Sequence, residues 1–200
     1  MNILIKKETK INHILGIIAI ISAFALCVAD FLLEFNPEYG ISVSSIVEPS
    51  WIEMSNWRFS LSLNLCAFFI PFYICGYFLV YKVIKKTNKK IATIILILFS
   101  YGTIMGSPLI HGVMCNFPII YNYGLVNNID INFLNNLIAN ELTSSILIVF
   151  IFHYLITWII SPSILFFYII SGKSKLKRWN AILNPLVFLI ICLLGLKVFP

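Results

Sequence analysis

Five long apolar runs, separated by short polar and basic stretches, organise the chain. They cover about residues 12–35, 59–81, 91–113, 144–170 and 181–198. A hydrocarbon core about 30 Å thick needs about 20 apolar residues in a helix, and each run approaches or exceeds that length. The pattern predicts an all-α integral membrane bundle of five spans, forming a single domain over residues 1–200. Residues 36–58 hold Pro37, Gly40, Pro49, five serines and the pair Trp51 and Trp57. Turn formers at that density predict an irregular loop, with tryptophan at headgroup level. Residues 114–143 are rich in Asn, and within them Ile131, Leu134, Leu137, Ile138 and Leu142 recur at helical spacing. That spacing predicts a short helix lying on the outer interface and leading into the fourth span. No internal repeat is visible.

Composition makes the class firmer. Hydrophobic residues reach 60 %, charged residues 11 %, and the mean hydropathy is +0.96. A soluble domain carries about 25 % charge. The balance excludes a soluble enzyme, a nucleic-acid-binding domain and a disordered regulator. The net charge of +6 does not alter this, because the basic residues cluster at span ends: Lys6, Lys7 and Lys10; Lys82, Lys85, Lys86, Lys89 and Lys90; Lys173, Lys175, Lys177 and Arg178. Twelve of the fourteen Lys and Arg fall on one side of a five-span arrangement, leaving Arg58 and Lys197 on the other. Basic loops stay cytoplasmic. The expectation is a multi-pass protein of the cell membrane with its amino terminus inside and its carboxyl terminus outside. Membrane lipids are its expected partners, and no nucleic acid is. The first run also has the form of a signal peptide with a cleavage site after Ala29, but Phe31-Leu32-Leu33 carries the apolar stretch past that point. Cys27, Cys66, Cys75 and Cys192 fall within spans and Cys115 opens an outer loop. With five cysteines and no CxxC, they read as small buried hydrophobes.

Ionisable groups inside a bilayer are expensive, about 2.5–3.5 kcal/mol for Asp at a helix centre, and so mark candidate sites. Gly16, Ala19, Ala23, Cys27, Asp30 and Glu34 recur on one face, whose small residues suit close helix approach and whose polar end is Asp30 and Glu34. His111 lies at nearly the same depth in the third span, about 13 Å outward of its centre at 1.5 Å per residue. The Gly102/Gly106 pair of that span predicts a tight helix contact, and Pro108 predicts a kink beside His111. His153 shares a face with Ser145, Val149 and Thr157. Asp30, His111 and His153 are the candidate catalytic groups. Glu34, Arg58, Asn64 and Trp57 are the candidate ligand-binding groups, with Arg58 placed to balance Asp30 or Glu34.

Their common placement in the outer halves of four spans predicts an outward-facing polar pocket. Such a pocket suits binding or processing of a lipid or small amphiphile. Alternatives are a small-cation or proton transporter and a non-catalytic accessory or immunity protein. No GxSxG, HExxH or DxD signature selects a reaction, so enzyme status stays open. No cofactor is expected. Without HxxxH or ExxH spacing, no metal ligand set is expected either.

The stretch WRFSLSLNLCAFFIPFYICGYFLVY, from Trp57 to Tyr81, opens with Arg, holds an internal Pro, and places a Gly before an aromatic end. It resembles a pattern in an uncharacterised family of bacterial polytopic membrane proteins of unknown function. The acidic end of the first span and the His near the end of the third are similar as well. The resemblance implies a multi-span architecture and no particular activity.

Overall fold

The computed structural model describes residues 2–36, 40, 41, 51, 53–106 and 111–198. The predicted kink at Pro108, with Ser107 beside it, lies outside the described residues, as do Pro37, Pro49 and the Cys192 side chain. The architecture is helical. Helix α1 (Asn2–Glu34) is followed by two short strands, β1 (Phe35–Asn36) and β2 (Gly40–Ile41). They pair antiparallel with Phe35 opposite Ile41, where an irregular loop was expected. Helices α2 (Asn56–Ile84), α3 (Lys89–Met105), α4 (Gly112–Val126) and α5 (Ile131–Asn136) come next. A π-helical turn (Leu137–Leu142) joins α5 to α6 (Thr143–Tyr154), and a second (Leu155–Ile160) joins α6 to α7 (Ser161–Ile170). A 3-10 turn (Arg178–Leu183) precedes α8 (Pro185–Val198).

Among the described residues three helical stretches are long and apolar enough to cross a membrane: Lys7–Glu34, Asn56–Ile84 and Ile131–Ile170, of 28, 29 and 40 residues. They contain most of the first predicted run and all of the second and fourth. The third run is divided, with α3 reaching Met105 over 17 residues and α4 starting at Gly112. Helix α8 has 14 residues. Large apolar side chains stand on the outside of these helices, with Ile20, Phe24 and Ile148 each 70–72 % exposed. Soluble proteins rarely expose so many large apolar side chains.

The Asn-rich segment differs from expectation. Cys115 does not open a loop; it is buried inside α4, and the chain turns only at Asn127 and Asn128, the latter at φ 58°. Asp130 then caps the next helix by accepting from the Asn132 backbone N–H at 3.2 Å. The apolar spacing from Ile131 onward begins the 40-residue stretch, and Leu134 and Ile138 are buried in the core. Pro162 does not end that stretch. It lacks an N–H and crowds the carbonyl four residues back, and the preceding turn widens to π geometry. The Ser161 hydroxyl reaches the Ile156 carbonyl at 2.5 Å, five residues back. Thr143 does the same to Ile138 at 2.6 Å beside the first π turn.

The chain divides into two compact units. One comprises Met1–Ala19, Ile74–Thr103 and Phe152–Pro200. Its core gathers Ile84, Ala92, Ile95, Phe99, Leu165, Ile169 and Ala181. Tyr77 stacks on Phe99 with centroids 4.8 Å apart, and its hydroxyl meets Thr103 Oγ1 at 3.1 Å. Gly102 is where a side chain does not fit, since a Cβ there would run into the Thr157 hydroxyl. Lys82 Nζ joins Glu8 Oε1 at 2.9 Å and Asn12 Oδ1 at 2.8 Å.

The other unit comprises Ile20–Tyr73 and Ile104–Ile151. Leu33, Trp51, Met54, Phe59, Cys115, Phe117, Tyr121, Leu134 and Ile138 form its core. Within it α1 buries Ser22, Ala25, Ala29 and Leu33. This face is rotated from the predicted one, and Cys27 and Glu34 are exposed. Burial follows the neighbours actually packed there, and small side chains at three- and four-residue steps do not reveal the rotation.

Candidate functional site

The site lies in the second of these units and grows from four short-range placements. Ala29 and Asp30 are consecutive on α1. Ser62 and Cys66 are one turn apart on α2. His111 immediately precedes α4 in right-handed helical conformation, at φ −65° and ψ −39°. Cys115 follows it by one turn.

Ser62 is fully buried and is the centre of the arrangement. Its hydroxyl donates to the Ala29 carbonyl at 2.6 Å. It accepts from the Cys115 thiol at 3.6 Å and lies 2.8 Å from His111 Nε2. A serine hydroxyl has one proton and two acceptor lone pairs. A carbonyl only accepts, so the Ser62 proton is committed to Ala29. His111 Nε2 must therefore carry a proton and donate it to Ser62. The hydroxyl is then saturated, and the imidazole is fixed with Nδ1 on the opposite edge.

That edge meets Asp30, whose Oδ1 is 3.6 Å from His111 Nδ1. The two groups differ in access: the His111 side chain is 13 % exposed and the Asp30 side chain 65 %. The imidazole is held from behind while the carboxylate stays open. Cys66, buried beside them, completes a group in which one carboxylate oxygen, one ring nitrogen and one thiol sulfur all lie within 4.8 Å of one another.

The remaining sequence candidates are placed differently. Arg58 Nη2 donates to the Phe35 carbonyl at 2.5 Å, so it holds the backbone that follows α1. Asn64 is exposed and donates to the Ser60 carbonyl of its own helix at 2.8 Å. It sits two residues, about 200° of helix, from both Ser62 and Cys66. Trp57 is 60 % exposed, and Glu34 is exposed at the end of α1. His153 belongs to the first unit, with Nδ1 3.4 Å from Thr157 Oγ1.

Ser62, Cys66 and Cys115 are the members that sequence reasoning missed. Two i, i+4 pairs, Ser62/Cys66 and His111/Cys115, were the available signal. A separate cavity of about 380 Å³ is lined by Glu53, Met54, Ser55, Asn56, Asn122, Leu125 and Val126. The Asn122 amide nitrogen there donates to the Trp51 carbonyl at 2.9 Å.

A family model covers residues 1–199. The chain belongs to DUF6796, a family of unknown function. No curated protein and no solved structure matches it. The family therefore brings no assigned chemistry to Asp30, Ser62 or His111.

Proposed function

We propose that the chain is a five-span protein of the cell membrane, with its amino terminus cytoplasmic, that binds a small cation at the Asp30–His111 pair. The five apolar runs and the one-sided distribution of Lys and Arg support the topology. One observation carries the functional reading. Ser62 donates to the Ala29 carbonyl, so it accepts the Nε2–H hydrogen bond of His111, and Nδ1 faces an open carboxylate.

Ser62, His111 and Asp30 have the order of a hydrolase triad, but the proton direction is opposite. A nucleophilic serine must give its proton to His Nε2 and reach a substrate. Ser62 donates its hydrogen bond to the Ala29 carbonyl instead and is enclosed. Lipid or amphiphile processing by this group is thus disfavoured. Conduction across the bilayer is disfavoured as well. Ser161 and Asn184, two of the few polar residues toward the cytoplasmic side, are buried and bonded to the backbone at Ile156 and Pro162.

Detergent-purified protein should gain thermal stability on adding a bound cation, by RT ln(1 + [L]/Kd) at saturation. Asp30→Asn keeps the shape of the side chain and removes its charge, so the variant should fold and lose most of that gain. A stabilisation by protons, zinc, calcium or sodium that is identical in Asp30→Asn would contradict the reading.

A further inference from the structure

We infer that Asp30, Cys66 and His111 form a site for a divalent transition-metal ion of the zinc class. The inference rests on the cation reading and names the cation. The three residues come from α1, from α2 and from the residue preceding α4, so no short sequence motif announces them. Among the described residues they form the group of potential ligands, with donor atoms within 4.8 Å of one another.

The donor set discriminates between cations. Calcium and magnesium take oxygen ligands and have no use for a buried thiol. Thiolate, imidazole and carboxylate together suit zinc and its neighbours. The orientation of His111 agrees. A metal-bound histidine almost always donates its other ring N–H to a nearby acceptor, which fixes the ring. Ser62 is that acceptor, at 2.8 Å from Nε2, and Nδ1 is left as the ligand atom.

Bonds of 2.0–2.3 Å in a tetrahedral site hold the ligand atoms about 3.3–3.6 Å apart. Asp30 Oδ1 and His111 Nδ1 are already 3.6 Å apart, so the closure needed, up to about 1.2–1.5 Å from the 4.8 Å limit, falls on the distances to Cys66. The open Asp30 side chain can shorten its own distance to the Cys66 sulfur. Three protein ligands leave a fourth position for water or another ligand. Binding converts the Cys66 thiol to a thiolate, with the sulfur–hydrogen bond replaced by a sulfur–metal bond and the proton released to buffer.

The test uses full-length protein in lipid nanodiscs, purified without metal and titrated with cobalt(II). A thiolate-to-cobalt charge-transfer band and the intense visible bands of tetrahedral cobalt are expected in wild type. Cys66→Ser should lose the charge-transfer band and weaken binding by at least about 10-fold, the lower end of what the loss of a mere outer partner of a ligand costs. Cys27→Ser, at an exposed thiol outside the group, should keep both. X-ray absorption on the zinc-loaded wild type needs no variant, and should find one sulfur at about 2.3 Å with nitrogen or oxygen at about 2.0–2.2 Å.

A first shell of nitrogen and oxygen alone, or an unchanged charge-transfer band in Cys66→Ser, overturns the metal site. If another cation still stabilises wild type and not Asp30→Asn, the cation reading stands without it. If no cation stabilises wild type, both fail.

Discussion

Ser62→Ala separates what the hydroxyl does for stability from what it does for the site. Three hydrogen bonds are removed: to Ala29, from His111 and from Cys115. Side-chain hydrogen bonds between membrane helices average about 0.6 kcal/mol and rarely exceed about 1.7. The Cys115 bond, from a weak thiol donor at 3.6 Å, contributes least. Alanine returns about 0.5 kcal/mol through better helix propensity. The net loss of stability is about 1 kcal/mol, since part of the sum cancels.

The effect on cation binding should be larger. Outer partners of metal ligands contribute 10- to 100-fold in affinity, about 1.4–2.7 kcal/mol. Without Ser62 the His111 ring loses the acceptor that selects its Nε2–H form and its orientation. Reversible unfolding in mixed detergent micelles reads the first quantity, and isothermal titration with zinc reads the second. The expected outcome is a folded variant with a small stability loss and at least 10-fold weaker binding. Unchanged affinity in a folded Ser62→Ala would refute the positioning role. A loss of several kcal/mol with unchanged affinity would make Ser62 a purely structural contact.

Two further outcomes concern the fold. A Cβ at Gly124 would lie 2.5 Å from Leu134 Cδ2, and Leu134 is enclosed, so Gly124→Ala should cost about 1–3 kcal/mol by overpacking, read as a lower melting temperature in detergent. A neutral result would contradict the α4–α5 contact. Topology is tested with single-cysteine variants in intact cells. Asn128→Cys should react with an impermeant maleimide and Thr87→Cys should be protected, whereas the reverse pattern would contradict a cytoplasmic amino terminus.

Length and hydropathy made the long helices at Lys7–Glu34 and Asn56–Ile84 legible, and the part of Ile131–Ile170 from about residue 144 onward, because an apolar run of that extent has few soluble alternatives. The approach of Asp30 to His111 was legible too. Counting 1.5 Å per residue put Asp30 and His111 at one level, and their side chains approach to 3.6 Å. Rotation about each helix was not legible. Arg58, Asn64 and Trp57 lie near the same end of α2 as Ser62, yet Arg58 turns to a backbone carbonyl and the other two are exposed. Periodicity cannot resolve this on a helix that is apolar all round, because no polar face sets its orientation. Ser62 and Cys66 were overlooked for the same reason: small residues in an apolar helix have the same signature whether they face lipid, a neighbouring helix or a ligand. The α4 helix was missed because Asn and Pro118 favour turns locally, while burial of Cys115, Phe117 and Tyr121 overrides that preference.

In the proposed site the Asp30 carboxylate, beside a His111 ring held by Ser62, receives a cation. Infrared difference spectra between cation-free and zinc-saturated protein in nanodiscs address that carboxylate directly. A shift in the carboxylate stretching bands is expected in wild type and not in folded Asp30→Asn. Identical difference spectra in the two proteins would contradict it.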